Sequence, residues 1–266
     1  MDAVIVGTGP AGIAAALQLR RSGVDFSLFE PKAVGGLLLN AHLVENYPGF
    51  PRGISGPDLV QRFVQQLERW EIPVVRDRVD KVECEDKLFQ VTTRDGRELV
   101  CKYLVVASGT VPRKLPLSLF QEGAEDKVMY DVFPIRDIRG RHVGIVGAGD
   151  AALDYGLQLA QHNHVTIFCR DGRPCCLPLL SERAEESSRL NVRFDTELVS
   201  VERANNGLLL RLDTAKDSQS QALEVDLLLA AVGRSPALGF LDTLVESRRE
   251  GLAKEGRLYP VGDVNN

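Results

Sequence analysis

The sequence has no apolar stretch near the ~20 residues needed to cross a bilayer; its longest runs, such as Leu227 to Val232, fall far short. No basic region precedes the apolar run at the N-terminus, so no secretory leader is read there. Basic residues are not in excess either: 32 Lys and Arg face 37 Asp and Glu, for a net charge of -5. Without a basic block to neutralise a row of phosphates, nucleic acid is excluded as the expected partner. No membrane association is expected, and the cytoplasm is the expected compartment. The five cysteines, at 84, 101, 169, 175 and 176, make no CxxC. With only four histidines they also make no spaced Cys/His set of the kind zinc requires. An odd number of thiols in a reducing compartment argues against a disulfide scaffold. The adjacent Cys175 and Cys176 read as loop thiols in preference to a strained vicinal disulfide.

What is present is a chain of 266 residues, 44% hydrophobic and 26% charged, the balance of a globular protein with core enough for two modest domains. An internal repeat organises it. Residues 4–19 read VIVGTGPAGIAAALQL and residues 144–159 read GIVGAGDAALDYGLQL, an offset of 140. In each copy a short Val/Ile run predicts a strand, glycines punctuate it, and an Ala/Leu/Gln-rich run predicts a helix. Second strands are expected at Phe26 to Glu30 and at Val165 to Arg170, completing two βαβ units.

Each glycine has its own task in such a unit. Gly7 and Gly147 make the tight turn, Gly9 and Gly149 let the backbone approach a pyrophosphate, and Gly12 or Ala152 permits close helix packing. The helix N-terminus, opened by Pro10 and Ala11 in the first copy and by Asp150 and Ala151 in the second, then faces the phosphate charge. Glu30, ending the second strand of the first copy, is placed to accept hydrogen bonds from ribose hydroxyls. In the second copy Arg170 stands at the same offset, where a guanidinium favours a 2'-phosphate. The alternative at that point is a solvated turn arginine with Asp171 serving a ribose. Two dinucleotides of different kinds are expected.

Several motifs in order extend the pattern: DAVIVGTGPAGIAAALQL, then Gly35-Gly36-Leu37-Leu38, VENYPGF at 44–50, ISGPDL at 54–59 and LVVASG at 104–109. The second Gly-rich copy, Ala230-Ala231-Val232-Gly233-Arg234-Ser235-Pro236 and Val261-Gly262-Asp263 follow. Together they closely resemble the low-molecular-weight thioredoxin reductase family over nearly the whole chain. The resemblance implies an α/β fold of two Rossmann-like, three-layer dinucleotide-binding domains, the second inserted in the first. An FAD domain would comprise 1–111 and 234–266, and an NAD(P)H domain 112–233. It implies that Gly7 to Gly12 hold the FAD pyrophosphate and Glu30 its adenosine ribose, that Gly36, Leu37 and Asn46 lie near the ribityl chain and flavin, and that Val79 presents its backbone to the adenine. Gly109 would sit in the crossover beneath the flavin and Asp263 at the ribityl-phosphate region. Gly147, Gly149, Asp150, Ala151 and Arg170 would serve NADPH.

Departures from the family pattern carry as much information. The redox CxxC of thioredoxin reductases falls, in an ungapped match, on Tyr130 and Phe133, where no dithiol can form. Loss of those thiols, with Gly149-Asp150-Ala151-Ala152-Leu153-Asp154, resembles the thioredoxin-reductase-type ferredoxin-NADP reductases. Leu37 stands where Gln is common and Ser108 where Thr is usual; the serine keeps a hydroxyl and the leucine loses a hydrogen-bonding group. Only Val264-Asn265-Asn266 follow Asp263, where family members continue into a helix over the flavin, so weak FAD retention is expected. The expected function is an FAD-dependent oxidoreductase taking hydride from NADPH and passing electrons to a non-disulfide acceptor, ferredoxin or flavodoxin, with a homodimer left open. No side chain is expected as general acid or base, because the flavin carries the chemistry. The other function class that fits is a flavin- or nucleotide-binding module without turnover.

Overall fold

The computed structural model describes residues 1–121, 123–214 and 217–265. Two compact units divide it, one containing Met1–Leu39, Tyr47–Val111 and the run from Ser235 on, the other Asn40–Asn46 and Pro112–Arg234.

The chain opens the first unit with β1 (Ala3–Val6), α1 (Pro10–Arg21), β2 (Phe26–Phe29), α2 (Gly56–Arg69) and β3 (Val74–Val75). A meander of β4 (Val79–Glu85), β5 (Leu88–Thr93) and β6 (Glu98–Cys101) leads to β7 (Tyr103–Val106). After β8 (Thr110–Pro112) comes the second unit: β9 (Val128–Met129), β10 (His142–Val146), α3 (Asp150–Ala160), β11 (His164–Phe168), α4 (Pro178–Glu186) and β12 (Leu190–Arg193). Its own meander, β13 (Thr196–Arg203), β14 (Leu208–Thr214) and β15 (Asp217–Val225), leads to β16 (Leu227–Ala230). Past β17 (Arg234–Pro236), α5 (Glu246–Lys254) and β18 (Leu258–Pro260) complete the first unit.

The two parallel sheets share one plan. The first runs β18-β7-β1-β2-β3 and the second β9-β16-β10-β11-β12. In both, the strand before the Gly-rich turn is central, with Val6 paired to Phe29 and Val106 in one and Val146 paired to Phe168 and Ala230 in the other. The outer strand beside β7 comes last in the chain, whereas its counterpart β9 comes first in its unit. This is the signature of one Rossmann-like unit inserted into another.

Three layers follow from burial on both sheet faces, which is why these strands are continuous apolar runs with no polar alternation. In the first unit Val4, Val6, Leu104 and Val106 pack with Val82, Phe89 and Val91 of the meander. In the second, Val143, Ile145, Val165 and Ile167 pack with Leu153, Tyr155 and Leu159 of α3 on one face. On the other face Phe168 and Leu228 meet Leu198, Leu208, Leu210 and Leu212 of the meander. Helix α2 begins where Ser55 accepts the N–H of Asp58 at 3.2 Å, a side-chain N-cap. It buries Leu59, Val60, Phe63 and Leu67 along one stripe.

Both second strands end earlier than the sequence suggests. Each stops at a phenylalanine, Phe29 or Phe168, so Glu30 and Arg170 both lie beyond their strands, and Arg170 stands on a loop. Ladder-like bonds still hold the neighbouring backbone, with Glu30 N–H on the Val75 carbonyl at 3.0 Å and Cys169 N–H on the Arg193 carbonyl at 2.9 Å.

Candidate functional site: two glycine-rich turns

The first turn is built by backbone contacts that only glycine allows. Gly7 has φ +104, and a Cβ there would stand 2.3 Å from the Ala107 carbonyl oxygen. A Cβ on Gly12 would come within 2.0 Å of the Gly7 carbonyl oxygen, so α1 packs directly on the turn. Gly9 is different in kind: nothing lies within 4 Å of a Cβ placed on it. It caps α1 with no side-chain hydrogen bond, Pro10 follows, and no acidic residue occupies the first turn. The helix N-terminus therefore offers backbone donors and partial positive charge to open space.

Other segments gather around that space. Gly35 donates its N–H to the Thr8 carbonyl at 2.9 Å, and a Cβ on Gly36 would lie 3.4 Å from the Gly9 Cα. Leu37 follows, half-buried, in the short helix Gly36–Asn40. Gly262 meets Ala11, its ideal Cβ 2.8 Å from that side chain, and Asp263 beside it is exposed. Glu30 closes the other side. Its Oε2 accepts both the N–H of Thr8 at 3.1 Å and the Thr8 hydroxyl at 2.9 Å, while Oε1 accepts the Lys32 N–H at 2.9 Å. Gly109 has φ +64 with open space above it, and the preceding Ser108 donates its hydroxyl to the Ala237 carbonyl at 2.8 Å. Val79 is buried at the start of β4, in register with Thr93.

The second turn repeats the first. Gly147 has φ +110 and its ideal Cβ would stand 2.3 Å from the Ala231 carbonyl oxygen. Gly149 caps α3, again without a side-chain bond. The first turn of α3 does hold an acid, Asp150, whose Oδ1 accepts the Leu177 N–H at 2.7 Å. Cys175 runs alongside, donating its N–H to the Ala148 carbonyl at 3.0 Å. Ala151 opens the helix exposed, and Arg170 extends into solvent with 76% of its side chain accessible and Asp171 at 4.0 Å.

The two positions aligned with a dithiol are occupied and braced. Lys114 places its ammonium 3.6 Å from the Tyr130 ring centroid, and Arg136 stands 4.0 Å from that of Phe133. The Tyr130 hydroxyl accepts the Leu115 N–H at 3.3 Å. Between the two rings, Asp131 pairs with Arg234 at 3.1 Å. All five cysteines are free thiols. Burial raises the Cys101 thiol from 9.0 to about 11 and also raises Cys169 and Cys176. Among the described residues no group of three or more His, Cys, Asp or Glu is placed to hold a metal, and no helix is long and apolar enough to cross a membrane.

Some contributors had no signal in the sequence. The segment Asn40–Asn46 packs with the second unit. The Asn40 side chain accepts the Phe133 N–H at 2.9 Å, Asp154 accepts the His42 N–H at 3.0 Å, and Arg183 forks onto Glu45 at 2.7 and 3.0 Å. Asp154 is a carboxylate within the apolar repeat, and burial pushes its pKa up. Asn46 ends this segment, exposed.

Comparison with known proteins decides the family. A family model described as pyridine nucleotide-disulphide oxidoreductase matches residues 1–258. The chain belongs to the pyridine nucleotide-disulphide oxidoreductases. It is 30% identical to the NADPH-dependent thioredoxin reductase 3 of Arabidopsis thaliana, covering 100% of this chain and 54% of the relative, or about half its length. It is 29% identical to the thioredoxin reductase of Neurospora crassa, covering 99% of this chain and 85% of that one. The fold superposes on thioredoxin reductase from Lactococcus lactis with a TM-score of 0.87 at 24% identity, over 99% of this chain and 90% of the other.

As a member of this family the protein is an NAD(P)H-dependent flavoprotein oxidoreductase that uses FAD and NADPH. The first turn fits a dinucleotide: an uncapped helix N-terminus free of acid, open space over Gly9, and a carboxylate at the end of the second strand. The second turn fits one as well, with its acid turned away to the Leu177 N–H.

Proposed function

We propose that this oxidoreductase moves electrons from NADPH to an acceptor other than a protein disulfide, in the cytoplasm, with ferredoxin or flavodoxin as the favoured acceptor. The observation that carries the reading is the pair Tyr130 and Phe133. In the alignment with thioredoxin reductases they fill both dithiol positions, each ring lies against a cation, and no CxxC occurs anywhere in the chain.

In this reading the first unit holds FAD and the second holds NADPH. Gly7, Gly9, Pro10, Ala11 and Gly12 cradle the FAD pyrophosphate, Glu30 serves the adenosine ribose, and Val79 offers its backbone to the adenine. Gly36, Leu37, Asn46, Gly109 and Asp263 serve the flavin half. On the other nucleotide, Gly147, Gly149, Asp150 and Ala151 form the turn and Arg170 recognises the 2'-phosphate. When bound, FAD supplies the hydride-accepting ring and the means to pass electrons onward. The chain's residues orient the nucleotides and keep water away, and none is required to move a proton.

The test is steady-state turnover with NADPH and three acceptors offered separately: oxidised thioredoxin, ferredoxin and flavodoxin. Turnover with either electron carrier and none with thioredoxin is expected. Thioredoxin turnover at a rate matching or exceeding the other two overturns the reading. Failure of NADPH to bleach the flavin at all would instead favour a binding module without turnover.

A further inference from the structure

The second unit has a cavity of about 360 Å³ lined by His142, His164, Val165, Thr166, Ser188, Arg189, Leu190 and Asn191. It lies at the beginnings of β10 and β11, where His142 and His164 are in register on neighbouring parallel strands. The Gly-rich turn follows the opposite end of β10, five residues away, or about 16 Å along a strand. The cavity is therefore separate from the nucleotide turn.

Its chemistry is one-sided. In a chain of net charge -5, no carboxylate lines this cavity, whereas Arg189, His164, Ser188 and Asn191 all bring donors to it. The nearest acid, Asp226, is already held by Arg141 at 3.1 Å and by the His142 N–H at 2.8 Å. From β15, Glu224 contributes its backbone to His142, and from β12, Arg193 adds positive charge nearby. The His142 ring is a wall of the cavity: its Nε2 pairs with the Thr166 hydroxyl at 3.0 Å, and burial holds its pKa below the ordinary value. Arg189 donates one nitrogen to the Gln161 carbonyl at 3.0 Å, which anchors the guanidinium while leaving other N–H groups for a ligand. Val165 and Leu190 supply apolar surface.

We propose that this cavity binds a phosphate-sized oxyanion between Arg189 and His164, with Ser188 and Asn191 as neutral donors. The shared chemistry fits either free phosphate or a phosphate monoester whose organic part rests on Val165 and Leu190.

Histidine ring resonances of the FAD-loaded protein, followed by NMR during titration with inorganic phosphate, phenyl phosphate and sodium chloride at matched ionic strength, test this. Saturable shifts of the His164 ring with phosphate but not chloride are expected, together with about a tenfold weaker affinity in Arg189→Gln and in His164→Gln. Both variants should keep wild-type flavin reduction by NADPH, so a folding defect in one is recognised and the other decides. Tighter binding of phenyl phosphate supports the site with an ester as its ligand, and equal binding supports it with free phosphate. Linear shifts that chloride reproduces, or unchanged phosphate affinity in a folded variant, overturn it.

Discussion

Glu30 and Thr8 are locked together by two hydrogen bonds on one carboxylate oxygen, from the Thr8 N–H at 3.1 Å and its hydroxyl at 2.9 Å. The carboxylate thus braces the glycine-rich turn between Gly7 and Gly9, and an ionised carboxylate has about four acceptor sites, enough to take ribose hydroxyls as well. Charge-assisted bonds of this kind are worth about 1.5–3 kcal/mol, or roughly ten- to hundredfold in affinity. Glu30→Ala should weaken FAD binding by that factor, and Glu30→Gln by less, as measured by fluorescence titration of apoprotein with FAD. Equal FAD affinity in wild type and Glu30→Ala would remove Glu30 from the site.

Two glycines of the second turn should respond oppositely to the same substitution. At Gly147 a Cβ would stand 2.3 Å from a backbone oxygen at φ +110, whereas at Gly149 the nearest atom is 3.7 Å away. Gly147→Ala is expected to cost at least about 1–3 kcal/mol of stability through overpacking and backbone strain. Gly149→Ala should fold normally and lose NADPH affinity, because its methyl enters the space proposed for the pyrophosphate. Denaturant unfolding and NADPH titration of both variants check this.

Arg170 is the proposed reader of the 2'-phosphate, and its side chain is free to move toward one, with 76% exposure. Asp171, 4.0 Å away, offsets part of its charge. A preference for NADPH over NADH of about tenfold, the low end of the range for one charge-assisted contact, is therefore expected. Anaerobic flavin reduction by each nicotinamide should show that preference in the wild type and its loss in Arg170→Ala. An unchanged ratio in the variant would reduce Arg170 to a solvated loop residue.

Burial of Cys101 makes a prediction at alkaline pH. Its thiol is raised from 9.0 to about 11 in the folded chain, so between those values the unfolded thiol releases its proton while the folded one keeps it. The folded state then binds more protons, and stability falls as pH rises from about 9 to about 11. Below pH 9 this contribution is fully present. Unfolding midpoints at pH 8 and pH 10.5 should differ less in Cys101→Ala than in the wild type.

The strand-turn-helix cores were legible because their information is local. Val4 to Val6 and Gly144 to Val146 are apolar runs ended by glycines, and Ala/Leu/Gln runs follow them. The chain ends of β2 and β11 were less so, since Glu30 and Arg170 leave the ladder through bonds to distant strands. The two meanders, β4–β6 and β13–β15, gave no comparable motif, because their pairing depends on contacts between strands and on the sheet face that Val82 or Leu210 covers. The attachment of Asn40, His42 and Glu45 to Phe133, Asp154 and Arg183 spans some 90 to 140 residues. Spacing alone carries no trace of it.

The most direct test of a flavin working without a protein dithiol is an anaerobic titration of the FAD-loaded protein with NADPH, following flavin absorbance and free thiols together. With Tyr130 and Phe133 in the aligned dithiol positions, one equivalent of NADPH per FAD should complete the reduction and the thiol count should stay at its starting value. Uptake of two equivalents, with two new thiols appearing, would contradict the account and reveal a redox-active disulfide among the five cysteines.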